Sequence, residues 1–354
     1  MSAVFVMAGG GTGGHVLPLL AVAKELKQRG HEVLFIGTKK GIEGRLVPAA
    51  GFPLEFIEIG GMKGVGAVRL LRTMWSLPLS TLQVLTRLRV LRPRAVFSMG
   101  GYVAGPTVAA ALLQGIPLIA MEPNAAPGIT NRLGGRYARK TLLTFPESAR
   151  YFPSGKTEVT GLPIRREFFG MTPRRRDSVL RLLITGGSAG SKTLNRAARE
   201  SWPLFLAAGF PIHILHQTGR EAWEETRAAF AESGLAGEVV AFIDDMPVAY
   251  GSSDLIVSRA GAGAVSEIAA AGRPSILVPY PFAADQHQLR NAEAFEKAGA
   301  ARLVLDQDMT GERLFELVRD VAGRIDAMGE AARKLAKPGA AERAADLLEE
   351  LIDS

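Results

Sequence analysis

A glycine-rich turn near the start of the chain contains the residues best suited to chemistry. Glycine occupies five of the six positions in residues 9–14, and His15 follows directly. An apolar strand pattern precedes this first glycine turn, and an amphipathic helix pattern follows it. A backbone without side chains can approach a phosphate closely, and a helix start offers unpaired N–H groups and the positive end of its dipole. The turn therefore predicts an anion-binding site, with a histidine at its edge suited to proton transfer near neutral pH.

The spacing of the first glycine turn also matches the fingerprint of dinucleotide-binding proteins. Gly9, Gly11 and Gly14 follow the G-x-G-x-x-G pattern between a strand and a helix. Enzymes that bind NAD carry an acidic residue at the end of the second strand, where it holds the ribose diol. Here that strand is followed by Thr38 and two lysines. The pattern therefore argues against NAD, and NADP stays open as an alternative.

A second glycine-rich turn, residues 186–193, begins the other half of the chain. Its sequence, GGSAGSKT, resembles the phosphate loop of nucleoside triphosphatases, but that loop needs a glycine directly before the lysine. Ser191 holds that position, so we reject a triphosphatase. What remains is a second helix start, with Ser188 beside it, that is suited to bind a phosphate.

Two polar segments of the second half are candidates for binding sugar hydroxyls. Residues 258–274 contain a third glycine-rich turn, and Ser266 and Glu267 lie in the first two turns of the helix that follows. A carboxylate there either complements the helix dipole or accepts hydrogen bonds from ribose hydroxyls. Residues 279–292 form a loop rich in amides, which either binds sugar hydroxyls or serves only as a helix start capped by Asp285.

The sequence predicts no metal site. The chain has no cysteine, which excludes thiolate ligands and disulfides. The acidic pair Asp306 and Asp308 spells a metal-binding motif of some enzymes, but it lies late in the second half, and we interpret it as a turn. His213 and His216 are three residues apart on a predicted strand, so they point to opposite faces and cannot share an ion.

The strands and helices that position these turns are predicted by alternating apolar patterns along the whole chain. The 354 residues are 47% apolar and 22% charged, which indicates a globular protein long enough for two domains. Alternation of this kind is typical of parallel α/β sheets. Both halves begin with a strand, a glycine-rich turn and a helix, and a second such unit recurs at residues 96–119 and 255–277. We therefore predict two similar doubly wound domains with a cleft between them.

Turn residues around Gly161 and Pro163 mark the predicted boundary between the domains. We assign residues 1–161 to the first domain and 162–339 to the second, and expect a final helix, residues 340–354, to pack back on the first. Residues 95–121 carry no charge, but glycines and prolines divide them into a strand, a loop, a buried helix and a strand, which argues against a membrane span. The first 15 residues lack the basic region of a signal peptide, and the lack of cysteine fits a reducing cytoplasm.

The net charge of +7 is unevenly distributed. Residues 59–121 contain no aspartate or glutamate but seven basic residues, interleaved with leucines and a tryptophan. Such a surface could attract nucleic acid, anionic lipid or a phosphorylated substrate, or it could be a solvated basic face.

Seven motifs, in the order in which they occur, resemble those of the MurG family of peptidoglycan glycosyltransferases. The similarity covers nearly the whole chain. The motifs are Gly10-Gly11-Thr12-Gly13-Gly14-His15, Gly100-Gly101-Tyr102-Val103, Glu122-Pro123-Asn124, Gly161-Leu162-Pro163-Ile164-Arg165, Gly186-Gly187-Ser188, Phe242-Ile243-Asp244-Asp245-Met246 and Asp285-Gln286-His287-Gln288. Pro123, Leu162 and Gln286 depart from the residues usual in the family, and Pro123 bears on how Asn124 is held.

The resemblance implies a GT-B glycosyltransferase fold, in which two Rossmann-like domains face each other across a cleft. It implies inverting transfer of N-acetylglucosamine from UDP-N-acetylglucosamine to the C4 hydroxyl of N-acetylmuramic acid in lipid I, giving lipid II. No metal or other cofactor and no nucleic acid are expected. The expected location is the cytoplasmic face of the bacterial inner membrane, as a peripheral protein, with other cell-wall synthesis proteins as possible partners in cell shape and division.

The resemblance also assigns roles to individual residues. His15 would be the general base or, alternatively, only cap the helix or bind the acceptor. Gly10, Gly11 and Tyr102 would contact the acceptor. The expected donor-binding residues are Thr12, Gly13, Gly14, Asn124, Arg165, Ser188, Ile243, Ala262, Gly263, Ala264, Val265, Ser266, Glu267 and Gln288.

The basic stretch acquires a specific interpretation from the resemblance. Arg69, Arg72, Trp75 and Leu79 are expected to contact an anionic membrane surface, since basic and apolar residues with tryptophan suit that interface. Two alternatives to the expected activity remain: another GT-B transferase that acts on a lipid-linked acceptor, and a catalytically silent scaffold that holds a nucleotide sugar.

Overall fold

The computed structural model describes residues 2–39, 41–58, 67–172, 177–283 and 286–352, and for residues 67–76 it describes the backbone only. The chain divides into two compact units. The first unit comprises residues 1–165 and 339–354, and the second comprises residues 166–338. The sequence placed this boundary between residues 161 and 162.

The described residues of the first unit form a parallel sheet of seven strands in the order β3-β2-β1-β4-β5-β6-β7. Its central strands are short apolar runs with both faces buried, and Phe5, Val6 and Met7 are fully enclosed. Burial on both sides is what a parallel sheet between two helix layers requires. The strands are β1 (Val4–Ala8), β2 (Glu32–Gly37), β3 (Leu54–Phe56), β4 (Ala95–Ser98), β5 (Leu118–Glu122), β6 (Lys140–Leu143) and β7 (Thr157–Val159).

The helices of the first unit pack in two groups. One group consists of α1 with α2 and α13, and the other of α4 with α3 and α5. A 3-10 turn, Pro146–Tyr151, follows β6. The helices are α1 (Gly13–Gln28), α2 (Glu43–Ala49), α3 (Ala67–Leu91), α4 (Gly101–Leu113), α5 (Ile129–Gly134) and α13 (Ala340–Glu349).

The strand order reverses between β1 and β4, and this switch point positions the first glycine turn. Strands β2 and β3 lie on one side of β1, whereas β4 to β7 lie on the other. The amide of Met99 donates to the carbonyl of Ala8 at 2.9 Å, so the two strands remain paired up to their carboxyl ends. The loops that leave β1 and β4 are therefore neighbours, and crevices at such points are where open α/β sheets bind ligands.

The uncharged residues 95–121 fold as a strand, a helix and a strand. Helix α4 already begins at Gly101 and continues through Gly105 and Pro106, where the sequence suggested a break. Pro106 lies in the second turn, near the helix start, where its missing N–H removes one backbone hydrogen bond. Among the described residues, no helix has the length and apolar character to cross a membrane.

The second unit repeats the architecture of the first. Its described residues form six parallel strands in the order β10-β9-β8-β11-β12-β13, so its switch point lies between β8 and β11. The second and third glycine turns leave these two strands. The strands are β8 (Leu180–Thr185), β9 (Ile212–Gln217), β10 (Ala236–Val240), β11 (Leu255–Ser258), β12 (Ser275–Leu277) and β13 (Ala301–Leu303).

Seven helices of the described residues cover the second sheet, and α11 packs against α6 over an apolar core. Two 3-10 turns, Arg166–Phe168 and Asp306–Asp308, join these elements. The helices are α6 (Lys192–Ala207), α7 (Trp223–Glu232), α8 (Met246–Gly251), α9 (Ala262–Ala271), α10 (His287–Lys297), α11 (Gly311–Ala322) and α12 (Ile325–Leu335). The predicted fold class, two Rossmann-like doubly wound domains, is confirmed.

Ion pairs fasten the last helix to the first unit. Arg29, at the end of α1, donates to Asp346 and Glu349 at 2.6 Å each, and the Nε2 atom of His31 lies 2.8 Å from Glu349. Arg343 adds a pair with Glu158 of β7. Helix α13 thus packs against α1 although the second unit precedes it in the chain.

Candidate functional site

The first glycine turn joins the end of β1 to the start of α1. Thr12 is the N-cap of α1, with an extended backbone, and its carbonyl accepts from the amides of His15 and Val16 at 3.2 Å each. The helix therefore begins inside the glycine run, at Gly13. The first amides of a helix, ahead of those two, point away from it and lack intrahelical acceptors, which suits an anionic ligand.

The steric surroundings separate two kinds of glycine in this turn. A Cβ atom at Gly9 would lie 2.9 Å from Leu19, and at Gly10 it would lie 2.5 Å from the Glu43 carboxylate. Packing therefore explains these two glycines. At Gly13 a Cβ atom would meet nothing within 4 Å, and at Gly14 only the Thr12 hydroxyl. The open space at Gly13 leaves room for a ligand to approach the backbone.

His15 is half-buried and contacts the turn that precedes it. Its Nδ1 atom lies 3.2 Å from the carbonyl oxygen of Gly10 and 3.5 Å from the Thr12 hydroxyl. A carbonyl oxygen can only accept, so this contact favours the tautomer with hydrogen on Nδ1. The lone pair of the neutral ring then belongs to Nε2, which gives His15 the form that a general base needs.

Tyr102 joins the same cluster from the start of α4. A Cβ atom at Gly11 would lie 3.0 Å from the Tyr102 ring, and one at Gly101 would lie 3.2 Å from the His15 ring. The structure thus brings together Gly10, Gly11, Tyr102 and His15. Burial, and secondarily the charge of Glu43, raises the pKa of the Tyr102 phenol. Tyr102 therefore stays protonated at neutral pH and can donate a hydrogen bond.

Glu43, at the start of α2, is a residue of this cluster that the sequence analysis missed. Its side chain is 1% exposed, and its carboxylate accepts from the amide of Gly11 at 2.8 Å. Thr38 donates to it through its amide at 3.0 Å and its hydroxyl at 2.6 Å. The dinucleotide fingerprint predicts an acidic residue at the end of β2. Glu43 lies six residues after the end of β2, and its side chain reaches back to the first glycine turn. Lys40 is outside the described residues.

A second buried carboxylate, Glu122 at the end of β5, holds Asn124. Its Oε1 atom accepts from the amide and the side chain of Asn124, at 2.8 and 3.3 Å, and its Oε2 atom accepts from Asn131 at 2.9 Å. Gly100, whose φ of +73° favours glycine, packs directly on Asn131. Burial raises the pKa of Glu122 to about 7 in spite of the hydrogen bonds that lower it. Asn124 is thus fixed through a neighbour, not exposed on a free loop.

The second glycine turn presents Ser188 just after the carboxyl end of β8. Ser188 is exposed, and Ser191 caps α6 by accepting from the amide of Leu194 at 3.3 Å. Gln217, buried at the end of β9, donates to the carbonyl of Gly187 at 2.8 Å. The same Gln217 side chain accepts from the amide of Ile243 at 3.1 Å.

Gln217 therefore links two of the predicted donor-binding segments, although the sequence analysis did not single it out. In this arrangement the Ile243 amide is engaged by Gln217. The contact of a base such as uracil with the Ile243 backbone stays a prediction.

Helix α9 carries six of the predicted donor-binding residues in its first two turns. Val265 is fully buried and its amide donates to Gly261 at 3.0 Å, so its side chain serves the core. Ala262 is also buried, whereas Glu267 is half-buried. The remaining residues of the set lie between them on the same helix: Gly263, Ala264 and Ser266.

Gln288 and Arg259 organise the loops on either side of α9. Gln288 accepts from the amide of Tyr280 at 2.9 Å, so its side-chain nitrogen remains as a donor for hydroxyls. Arg259 donates to the carbonyl of Val278 at 3.1 Å and to the Ser191 hydroxyl at 2.7 Å. It also pairs with Asp306. Asp285 lies outside the described residues.

This pairing accounts for the acidic motif at residues 306–308. Asp306 binds Arg259 and accepts from Thr193 at 2.9 Å, and the motif itself is a 3-10 turn, as interpreted from the sequence. The part of the chain that the structure describes contains no group of three or more histidine and acidic residues able to hold a metal. Arg165, another predicted donor contact, is half-buried at the end of the first unit.

Glu122 predicts a pH dependence of stability. Its folded pKa of about 7 exceeds the ordinary value of 4.5, so its stabilising effect is complete below 4.5 and is lost as the pH rises through 7. Relative to Glu122→Gln, the unfolding free energy of the parent should fall by roughly 3 kcal/mol between pH 4.5 and 7.5. Denaturant unfolding of both proteins across this range measures the effect, and parallel pH profiles would contradict it.

Comparison with known proteins places these features in a family. The model of the glycosyltransferase family 28 N-terminal domain matches residues 5–143, and that of the C-terminal domain matches residues 181–351. The chain is 59% identical to the UDP-N-acetylglucosamine–N-acetylmuramyl-(pentapeptide) pyrophosphoryl-undecaprenol N-acetylglucosamine transferase of Solibacter usitatus, over 99% of this chain and 96% of the relative. The enzyme of the same name from Myxococcus xanthus is 40% identical, over 98% and 92%.

Solved structures agree with the sequence comparison. The crystal structure of Acinetobacter baumannii MurG is 36% identical and superposes with a TM-score of 0.79, covering 98% of this chain and 99% of that one. A kitacinnamycin glycosyltransferase, 21% identical with a TM-score of 0.76 over 99% of both chains, shares the fold. The chain therefore belongs to glycosyltransferase family 28, and within it to the MurG family.

Proposed function

We propose that this chain transfers N-acetylglucosamine from UDP-N-acetylglucosamine to the C4 hydroxyl of N-acetylmuramic acid in lipid I, which yields lipid II for peptidoglycan synthesis. The observation that carries the proposal is 59% identity, over 99% of the chain, to a relative named for this transfer. The cluster around His15 supports it independently, because it combines a histidine base with an anion-binding helix start.

His15 would act on the acceptor. Its Nε2 atom takes the proton of the C4 hydroxyl while the hydroxyl oxygen attacks the anomeric carbon of the donor sugar. The bond between that carbon and the diphosphate breaks, UDP leaves with the electron pair, and the configuration inverts. The hydrogen bond between Nδ1 and the Gly10 carbonyl, 3.2 Å long, keeps Nε2 in the basic form.

The second unit would bind the donor. The first-turn amides of α6 and α9 suit the diphosphate and would stabilise the charge of departing UDP. Glu267 would accept from the ribose diol, the Ile243 carbonyl from uracil, and Gln288 would donate to the sugar. These roles come from the family resemblance, and those of Ile243 and Gln288 are compatible with the hydrogen bonds that the structure gives these two residues.

We further propose that the reaction needs no metal ion, because helix starts supply the positive potential that a cation provides in other transferases. One member of the acidic pair, Asp306, is engaged by Arg259 and Thr193.

One assay tests the proposed function against its alternatives. Purified protein with UDP-N-acetylglucosamine and a lipid I analogue should release UDP and form the disaccharide product, with equal rates in EDTA. Turnover with a different lipid-linked acceptor only would favour another GT-B transferase. UDP binding without turnover would favour a scaffold, activity restored by manganese after EDTA would refute metal independence, and tight NADP binding would favour an oxidoreductase.

His15→Ala tests the assignment of the general base. We expect kcat at saturating acceptor to fall by about a hundredfold or more, because removal of a general base costs that order of rate. UDP affinity, measured by calorimetry, should stay at the parent value. A variant with normal kcat and a raised KM for lipid I would show that His15 only binds the acceptor.

Glu267→Ala tests the donor site. Loss of charge-assisted hydrogen bonds to the ribose should weaken UDP binding by roughly 1.5–3 kcal/mol, about tenfold to a hundredfold. Glu316→Ala, which removes an exposed carboxylate from α11 of the same unit, is the matched control. Equal UDP affinity of the parent and Glu267→Ala by calorimetry would contradict the assignment.

We also propose that the layer formed by α3, α4 and α5 contacts the cytoplasmic face of the inner membrane. Large apolar side chains are exposed on all three helices: Leu79 is 61% exposed, Leu113 71% and Ile129 71%. Exposed arginines follow Ile129 in the chain, Arg132 on α5 and Arg136 shortly after its end. Apolar side chains among basic residues suit an anionic bilayer surface.

Of the residues first predicted for this surface, the structure describes the side chain of Leu79 only. The backbone of α3 carries Arg69, Arg72 and Trp75, whose side chains lie outside the described residues. Arg87, a basic residue of the same helix, pairs with Glu55, so it is not fully available to lipid.

Charge reversal tests the membrane surface. Arg69→Glu with Arg72→Glu should reduce sedimentation with anionic liposomes, because each basic residue near such a surface contributes about 1 kcal/mol. Added salt should have the same effect on the parent. Lys24→Glu with Arg45→Glu, on the opposite helix group, is the control and should bind as the parent does. Equal sedimentation of both double variants would contradict the proposal.

A further inference from the structure

The peptide group between Gly10 and Gly11 is held at both ends. Its carbonyl oxygen lies 3.2 Å from Nδ1 of His15, and its N–H donates to the Glu43 carboxylate at 2.8 Å. One planar amide therefore connects a buried carboxylate to the histidine that we assign as the base. Since the peptide is rigid, fixing its N–H also fixes the direction of its C=O.

We propose that Glu43 is a positioning residue that orients His15 through this single peptide group. The inference rests on the proposed function for its catalytic consequence, but its structural part concerns only the tautomer and orientation of His15. A carboxylate that accepts from a peptide N–H polarises the amide and strengthens the hydrogen bond at the carbonyl end. Glu43 would thus favour hydrogen on Nδ1 and the lone pair on Nε2.

The space around Glu43 shows that the chain is built to accommodate it. A Cβ atom at Gly37, at the end of β2, would lie 2.7 Å from its side chain, and one at Gly10 would lie 2.5 Å away. A Cβ atom at Gly41 would also collide with the carboxylate. Glycines of two segments, the first glycine turn and the connection from β2 to α2, therefore surround one side chain, which leaves its carboxylate little freedom to move.

The charge of Glu43 is maintained by neutral donors. Burial raises its pKa, but hydrogen bonds from Thr38, Gly11 and its own amide outweigh burial, so the pKa of Glu43 is lowered. A buried carboxylate is costly, and an apolar side chain would fill the same space at lower cost. A charged carboxylate at position 43 is therefore explained if its hydrogen bond to the Gly11 amide serves to orient His15.

The seating of Tyr102 depends on the same peptide. Gly11 has a φ of +81°, and its Cα faces the Tyr102 ring at a distance that leaves no space for a Cβ atom. A rotation of the Gly10–Gly11 peptide would move its carbonyl away from His15 and alter the backbone against which Tyr102 packs.

The test compares two substitutions at the same carboxylate site. Glu43→Gln has one acceptor oxygen where Glu43 has two, so it cannot serve both Thr38 and Gly11, and it loses the charge that polarises the peptide. Thr38→Val removes one hydroxyl donor to Glu43 but leaves the bond to Gly11 intact, so it is the matched control for lost stability. Nitrogen NMR of histidine-labelled protein reports which ring nitrogen of His15 carries hydrogen, without any need for turnover.

We expect the parent and Thr38→Val to show His15 with hydrogen on Nδ1, and Glu43→Gln to lose that preference. In the lipid I assay, Glu43→Gln should lower kcat at least tenfold with unaltered UDP affinity. In a His15→Ala background the same substitution should change kcat less than twofold, because residues that act as a unit are not additive. If the parent shows no turnover, the proposed function fails while the NMR result still decides the link.

A parent-like His15 tautomer in folded Glu43→Gln, or fully additive kcat losses in the double variant, would overturn the proposal. If Glu43→Gln does not fold, Glu43→Asp takes its place. The aspartate side chain is one methylene shorter, so its carboxylate does not reach Gly11 and His15 should also lose its preference for hydrogen on Nδ1. Retention of that preference would overturn the proposal equally.

Discussion

The geometry of the cluster around His15 depends on one peptide group, between Gly10 and Gly11, whose N–H and C=O both have partners. Glu43 binds the N–H and His15 contacts the carbonyl. A glycine turn by itself is the most flexible kind of backbone, and a binding site needs the opposite. The chain resolves this conflict by placing a buried carboxylate behind the turn, so that the residues free of side chains are also the residues fixed by hydrogen bonds.

The second unit stabilises its own loops in a related way with different residues. Gln217 connects the second glycine turn to the segment at Ile243, and Arg259 connects the third to Ser191 and Asp306. In both units the polar side chain lies beneath the loops and binds backbone or capping groups. The groups that we propose to bind the donor are different ones: helix starts and side chains such as Glu267 and Gln288.

The sequence predicted the elements and the turns because their signals are local. A strand, a glycine run and a helix start are contiguous at residues 9–15 and 186–193, and the fold class followed from their repetition. Glu43, Gln217 and Arg259 were missed because their partners lie 32, 26 and 47 residues away. Which distant residues meet is decided by strand order at the switch points, and no periodicity in the chain reveals that order.

The glycines of the first turn serve two purposes that only the structure separates. Gly9 and Gly10 are required by close neighbours within the protein, and any larger residue would collide with Leu19 or Glu43. Gly13 has no such neighbour, so internal packing gives no reason for it. Glycine costs roughly 1 kcal/mol relative to alanine in a helix interior, and two glycines in the first turn of α1 add nothing to its stability. A glycine that packing does not require is what we expect where the backbone is kept clear for a ligand, and Gly13 lies in the same helical turn as His15, the histidine that we propose Glu43 holds in place.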